Sequence, residues 1–304
     1  MATLVREIEQ ADLPQVRQLL QTVFDDDSYT DIRRLGGMTN RSYRVMRADG
    51  REYLVRLPGE GTEQMINRAD EKKSTELACR LGIDAGLLYF GDDGTKVMHF
   101  ISDPLPMSAE VLREEKNILQ AAAIFRRLHT CGEDTGVRFE VFEMADSYEQ
   151  IIREGGVAFY DDYDKVRHTV MEIKEAVDER GEAPRVPCHN DSLVENWVLD
   201  PSGKLYLVDW EYSGMNEAMW DLSCLSIEAD YTPAQDDILL RAYYGRDAGI
   251  EEKKRFIAAK LYVDYLWTLW GLTRVPFDGQ FMQDYADARY ARLKGNIAAY
   301  LALG

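Results

Sequence analysis

The sequence predicts an α+β chain of two lobes, a small antiparallel β lobe carrying one helix and a larger, mainly helical lobe. Three observations predict it. Between residues 32 and 101 short runs of strand-forming residues alternate with turn signals such as Ala48-Asp49-Gly50 and Asp92-Asp93-Gly94. From residue 111 onward apolar residues recur at helical spacing. A single polar hairpin, 188–212, interrupts the helices. A β-rich segment followed by a helical one is the layer pattern of an α+β fold. We place the division at 103/104, giving lobes 1–103 and 104–304.

The elements follow in order. Residues 12–24 read as a helix with Pro14 near its start and Leu13, Val16, Leu19, Leu20 and Val23 on one face; Asp25-Asp26-Asp27 ends it. Strands are expected at 32–35, 42–46, 52–57, 87–90 and 96–101, with a helix at 63–80 between the third and fourth. The turn Gly36-Gly37-Met38-Thr39-Asn40 is rich enough in glycine to lay backbone N–H groups over a phosphate, with Gly37 and Asn40 as the residues in position to do so. Two glycines alone more often mark a plain turn. Residues 99–104 form a hinge, where the backbone of Phe100 and Ile101 could meet the edge of a purine. Helices are expected at 111–129, 164–179, 233–244, 251–272 and 279–301.

The hairpin carries the chemistry. It reads His189-x-Asp191, then Asn196, a strand at 197–199, the turn Asp200-Pro201-Ser202-Gly203, a strand at 205–208, and Asp209. This spacing is that of the catalytic loop of kinase-like phosphotransferases. Phosphoryl transfer asks a protein to hold a hydroxyl in line with a γ-phosphate and to neutralise charge. Asp191 is placed to accept the hydroxyl proton. Asn196 and Asp209 supply hard oxygen atoms for Mg²⁺, which keeps several waters and needs few protein ligands. His189 is a hydrogen-bonded brace. Arg56, in Tyr-Leu-Val-Arg-Leu, is the cation expected to grip the α- and β-phosphates of ATP, unless it is a solvated strand charge. Its carboxylate partner on the following helix is Glu71, with Glu76 the second choice.

Composition narrows the partners. The 304 residues carry a formal charge of −18, which argues against a nucleic-acid partner because phosphate backbones require a basic footprint. Cys79, Cys131, Cys188 and Cys224 form no Cys-x-x-Cys pair, and four histidines give no zinc spacing. No leader-like segment and no long apolar run occur, so a cytoplasmic protein with reduced thiols and no membrane insertion is expected. The oligomeric state is open.

Taken in order, the Gly-Gly-Met-Thr-Asn turn, Val-Arg-Leu-Pro-Gly, His-Asn-Asp-Ser-Leu-Val-Glu-Asn and Asp-Trp-Glu-Tyr resemble the choline/ethanolamine kinase family, within the group that includes aminoglycoside phosphotransferases. These segments span roughly residues 35–225 and imply a two-lobed protein-kinase-like fold, ATP and Mg²⁺. Trp220-Asp221-Leu222, Glu228, Trp267-Thr-Leu-Trp270 and Asp284-Tyr285-Ala-Asp-Ala-Arg289-Tyr290 look like choline kinase segments. The resemblance implies an acidic and aromatic substrate pocket, with Glu228, Trp267, Trp270 and Tyr285 matching its residues, Tyr231 near another, and Glu211 of Asp-Trp-Glu-Tyr beside it. The chain lacks the long insertions of some animal relatives and looks more like bacterial members.

The residues support that pocket independently. A quaternary ammonium has no N–H and is recognised by aromatic faces. Trp267 and Trp270, three apart on a helix, share a face. They could equally be core. The expected activity is transfer of the γ-phosphate of ATP to choline, giving phosphocholine. Ethanolamine, an aminoglycoside or another small alcohol is the alternative acceptor, and an inactive nucleotide-binding pseudokinase the alternative of a different class.

Overall fold

A computed structural model describes residues 11–35, 40–59 and 67–303. The amino-terminal lobe opens with α1 (Leu13–Phe24), which ends where Asp25 turns left-handed at φ 54°. A five-stranded antiparallel sheet follows, built from β1 (Asp31–Arg34), β2 (Arg41–Met46), β3 (Glu52–Leu57), β4 (Leu87–Phe90) and β5 (Lys96–His99) in the order β1-β2-β3-β5-β4. Alternation decides its faces. Tyr43 and Val45 on β2, and Tyr53, Val55 and Leu57 on β3, point to one side and bury against Val16, Leu19 and Leu20 of α1. The opposite face of β3 carries Arg56, directly across from Lys96. The helix α2 (Arg68–Arg80) starts at the cap Asn67, whose side chain accepts from the amides of Ala69 and Asp70. The earlier part of the helix expected from 63, and Gly37 of the glycine turn, lie outside the described residues.

The second lobe begins with α3 (Ala109–Leu112) and α4 (Glu115–His129). The periodicity over 111–129 predicts one helix, but the chain breaks at Glu114, which is extended, and Asn117 Nδ2 donates to the Val111 carbonyl at 2.8 Å in place of the lost helical bond. Next come α5 (Val141–Glu154), α6 (Tyr163–Asp178), the short strands β6 (Arg185–Cys188), β7 (Trp197–Leu199), β8 (Leu205–Leu207) and β9 (Gly214–Glu217), then α7 (Ala218–Glu228), α8 (Pro233–Tyr244), α9 (Ile250–Asp278) and α10 (Gln280–Leu301). β6 pairs with β9 and β7 with β8, both antiparallel.

Two of these helices are absent from the periodicity reading, each for a physical reason. Along α5 the buried positions are Val141, Ala145, Glu149 and Ile152, so a carboxylate sits in the middle of the apolar stripe. Glu149 is held by Tyr163, Arg153 and Arg167. In α7 every residue from Met219 to Ile227 is buried, so no polar face marks the period. α9 runs past the expected end at 272 and carries Pro276 near its carboxy end.

Two cores hold this lobe. One gathers α4, β7, β8, α7 and α8 and takes in Leu77, Ala78 and Ile83 from the first lobe. The other gathers α5, α6, α7, α9 and α10. The lobes also meet through backbone: the Leu207 amide donates to the Ile83 carbonyl (3.2 Å). No helix among the described residues is long and apolar enough to cross a membrane. All four cysteines are free.

Candidate active site

The loop between β6 and β7 is fixed from beneath by one buried carboxylate. Asp221, in the first turn of α7, accepts the backbone amides of His189 and Asn190, each at 2.8 Å, and the Nε2–H of His129 at 3.1 Å. Asn190 is held at φ 68°. Its side chain donates to the Tyr212 carbonyl (3.0 Å) and accepts from Asn216 (3.0 Å), while its own carbonyl accepts from the Trp220 indole (2.9 Å). A non-glycine residue in this region is strained, and here a dense set of bonds over-determines it.

His189 is buried and makes two bonds that settle its tautomer. Nε2 donates to the Val208 carbonyl (2.9 Å), and Nδ1 accepts the Asp191 amide (3.2 Å). Burial holds its pKa below the ordinary value, so the ring is neutral. It therefore ties the loop to the far strand of the hairpin, just before Asp209. Asp209 also sits at φ 68°.

Around these residues the structure gathers acids. The Asp191 carboxyl is pushed up to about 8, first by burial and then by the charges of Asp209, Glu228 and Glu211. Glu211 is pushed up to about 7, by burial and then by Asp209. Asn196 turns its amide nitrogen to the Asp191 carbonyl (2.7 Å), which leaves its amide oxygen for a cation. Carboxylate oxygens of Glu71, Asp209 and Glu211 lie within 4.8 Å of one another. Hard carboxylate oxygens gathered this closely are the donor set that suits Mg²⁺. A second cluster, His129, Cys188 and Asp221, is no such site: all three are buried, and Asp221 is already committed to three donors.

The cations are equally concentrated. Arg56 is buried and ion-paired with Glu71; its Nη1 lies 3.4 Å from Asp209 Oδ1, and its Nη2 donates to the Gly94 carbonyl (3.2 Å). Glu71 also binds Arg68 (2.7 Å) and Lys96 (3.4 Å). Burial lifts the Glu71 pKa, but Lys96, Arg56 and Arg68 together pull it below the usual value. Glu76, the second choice from sequence, is exposed. Arg68 and Lys96 are missed by sequence reading; the signal for Lys96 is its cross-strand register with Arg56.

The remaining nucleotide-side residues divide. The Asn40 side chain donates to Glu211 Oε2 (3.2 Å) and accepts the Gly59 amide (3.4 Å), bridging the first lobe to the hairpin. The Phe100 amide donates to the Glu52 carbonyl (3.1 Å), an extension of the sheet that closes this N–H to a purine. Phe100 and Ile101 also line a cavity of about 400 Å³ behind the hinge, with Asp84, Gly86, Lys204 and Tyr206.

On the acceptor side, α9 and α10 bring Trp267, Trp270 and Tyr285 together. Ring centroids are 5.9 Å apart for Trp267–Trp270 and 5.9 Å for Trp270–Tyr285, both edge-on. Tyr212 extends the row, 5.6 Å from Trp267. Gly271 permits the close approach of the two helices, since a Cβ there would sit 2.9 Å from Tyr285 Cδ1. Glu228, at the end of α7, pairs with Arg289 at 2.5 Å. The Tyr148 hydroxyl of α5 is pushed up to about 12, by burial and then by Asp191. Tyr231 is elsewhere. It belongs to the core of α4 and α8, and its hydroxyl donates to the Leu112 carbonyl (2.9 Å). The left-handed turn at Asp230 (φ 53°) separates it from α7. Tyr212, beside Trp267, and Arg289, over the Tyr285 ring, adjoin the ring row although sequence reading did not assign them to the pocket. Arg289 was within reach, four residues after Tyr285 and so on the same helix face.

Comparison with known proteins shows the family. The family model described as choline/ethanolamine kinase matches residues 32–267. Protein LicA of Haemophilus influenzae is 27% identical over 263 residues, 83% of this chain and 75% of that protein. A choline/ethanolamine kinase family protein from Mesorhizobium loti superposes with a TM-score of 0.82 at 33% identity, covering 95% of this chain and 98% of that one. The choline kinase LicA of Streptococcus pneumoniae superposes at 0.79 with 29% identity, covering 94% and 99%. The chain belongs to the choline/ethanolamine kinase family and is an ATP-binding kinase that phosphorylates an alcohol.

Proposed function

We propose that the acceptor is choline and the product phosphocholine. The observation that carries this reading is the row of rings, Tyr212, Trp267, Trp270 and Tyr285, beside a loop carboxylate. Quaternary ammonium ions bind to aromatic faces because they have no N–H to satisfy. Glu228 adds negative potential without needing to accept a bond from the substrate.

In this reading choline lies with its ammonium among the rings and its hydroxyl at Asp191, which takes the proton as the oxygen attacks. The first lobe, 1–103, holds ATP: Arg56 grips the phosphates, Glu71 orients Arg56, and Asn40 ties the glycine turn to Glu211. Asn196 and Asp209, with Glu211 beside them, would hold Mg²⁺, which would supply charge neutralisation at the phosphates. His189 keeps the loop in register.

The pocket is tested by Trp270→Ala. We expect KM for choline to rise about tenfold, the order of one desolvated cation–π contact, with kcat changed by less than about twofold. Trp270→Phe, which keeps a π face, recovers part of the loss. An unchanged KM in both variants returns Trp270 to the core.

The pH profile tests the carboxylate. Only ionised Asp191 accepts a proton, so activity rises with pH through a pKa that starts at about 8. Positive charge beside Asp209 and Glu211 relieves the repulsion on Asp191, so higher Mg²⁺ moves the acidic limb of kcat/KM to lower pH. A limb that ignores Mg²⁺ contradicts the assignment.

A further inference from the structure

The carboxylate of the acceptor pocket is already occupied. Arg289, buried on α10, donates from Nη2 to Glu228 Oε1 at 2.5 Å, and its guanidinium carbon stands 4.6 Å from the Tyr285 ring centroid. Behind it the charges continue to alternate. Arg289 Nη1 lies 3.6 Å from Asp264, which is fully buried and gripped by Arg292 through Nε (3.1 and 3.0 Å) and Nη2 (2.7 Å) and by Asn296 (3.0 Å). Glu228, Arg289, Asp264 and Arg292 thus form a chain of two anions and two cations with no net charge. The chain runs from the ring row toward solvent.

We propose that Arg289 is a specificity-determining residue, which selects a quaternary ammonium over a primary one by keeping Glu228 engaged. The inference rests on the reading of the ring row as an ammonium pocket. A primary ammonium brings three N–H donors that need acceptors once water is expelled, whereas a trimethylammonium brings none. With Arg289 on Glu228, the acceptor a primary ammonium needs is held by another cation, and Arg289 would have to be displaced first. A trimethylammonium loses nothing by this, because it is bound by the rings and by the field of the surrounding acids. The pair also lets a carboxylate remain in an aromatic pocket without standing there as an unpaired buried charge.

The test uses the purified full-length chain and three variants, Arg289→Gln, Glu228→Gln and the double variant. The readout is the ratio of kcat/KM for ethanolamine to that for choline. Arg289→Gln releases the carboxylate, and the ratio is expected to rise about tenfold, the order of one charge-assisted hydrogen bond. In the double variant no carboxylate is released, so the ratio returns to the parent value. Glu228→Gln alone weakens both substrates together and leaves the ratio within about twofold, because only the field is lost. A merely structural Arg289 would lower both activities in Arg289→Gln with no change in ratio, which overturns the inference. A shift that persists in the double variant also overturns it, since Glu228 would then not be the agent. If Arg289→Gln does not fold, Glu228→Gln decides: a ratio that moves shows that Glu228 already serves ethanolamine in the parent. Melting temperatures with tetramethylammonium and methylammonium as probes separate the inference from the choline reading. If the parent turns over neither substrate but is stabilised more by tetramethylammonium, and Arg289→Gln reverses that order, the inference holds and the choline reading fails. No preference between the probes in the parent overturns the inference itself.

Discussion

Asp191→Ala is expected to lower kcat by about 10²- to 10⁴-fold, the range for losing a positioned general base. ATP affinity should stay the same or tighten slightly. The separation follows from where the residue sits. Asp191 is on the acceptor side of the loop, where the Tyr148 and Tyr212 hydroxyls feel its charge. Arg56 and its carboxylate partner Glu71 are in the first lobe and do not touch it. Removing Asp191 also removes one of four crowded acids, Asp191, Asp209, Glu211 and Glu228, so phosphate meets less repulsion. Titration of nucleotide into the variant, alongside single-turnover rates, checks both halves. A variant that retains a tenth of the parent rate removes Asp191 from the base role.

Asp221→Ala should produce the largest loss of stability. The side chain accepts two loop amides and the His129 ring N–H in a fully buried site. Deleting it leaves those donors without a partner, and breaking a buried charged network of this kind costs about 3–5 kcal/mol. The expected fall in Tm is on the order of 10 °C. Activity should fall as well in the folded fraction. Asn190 at φ 68° then keeps only its bonds to Tyr212, Asn216 and Trp220 to hold it in a strained conformation, and Asp191 is the next residue. Asp221→Asn keeps one acceptor oxygen and should fall between parent and Ala. Calorimetry of the three proteins, with kcat measured well below the lowest Tm, checks the order. Equal Tm values would mean that the loop is held by Asn216 and Trp220 alone.

The parts legible in sequence are those where local chemistry and fold agree. The hairpin from His189 to Asp209 could be read because turn residues, strand residues and metal-type oxygens fall at fixed offsets. The five strands could be read from alternation, since one face of the sheet is apolar and the other bears Arg56 and Lys96. Elements that bury polar groups were opaque. Glu149 hides the stripe of α5, and with it Tyr148. α7 is buried all round, which hid the helix that presents Asp221 to the loop. Tyr231 shows the reverse error. The resemblance placed it near a pocket tyrosine, whereas a one-residue left-handed turn sends it to another core. Pairings such as Glu228 with Arg289, sixty-one residues apart, belong to the tertiary packing of α7 on α10 and have no local trace in the chain.

The most direct test of the account is ATP turnover by the purified protein with Mg²⁺, comparing choline, ethanolamine and a panel of aminoglycosides. The account predicts a strong preference for choline, at least about tenfold in kcat/KM over ethanolamine, as expected when aromatic faces replace hydrogen-bond acceptors. Preference for ethanolamine or an aminoglycoside would contradict it and return the tryptophans to the core.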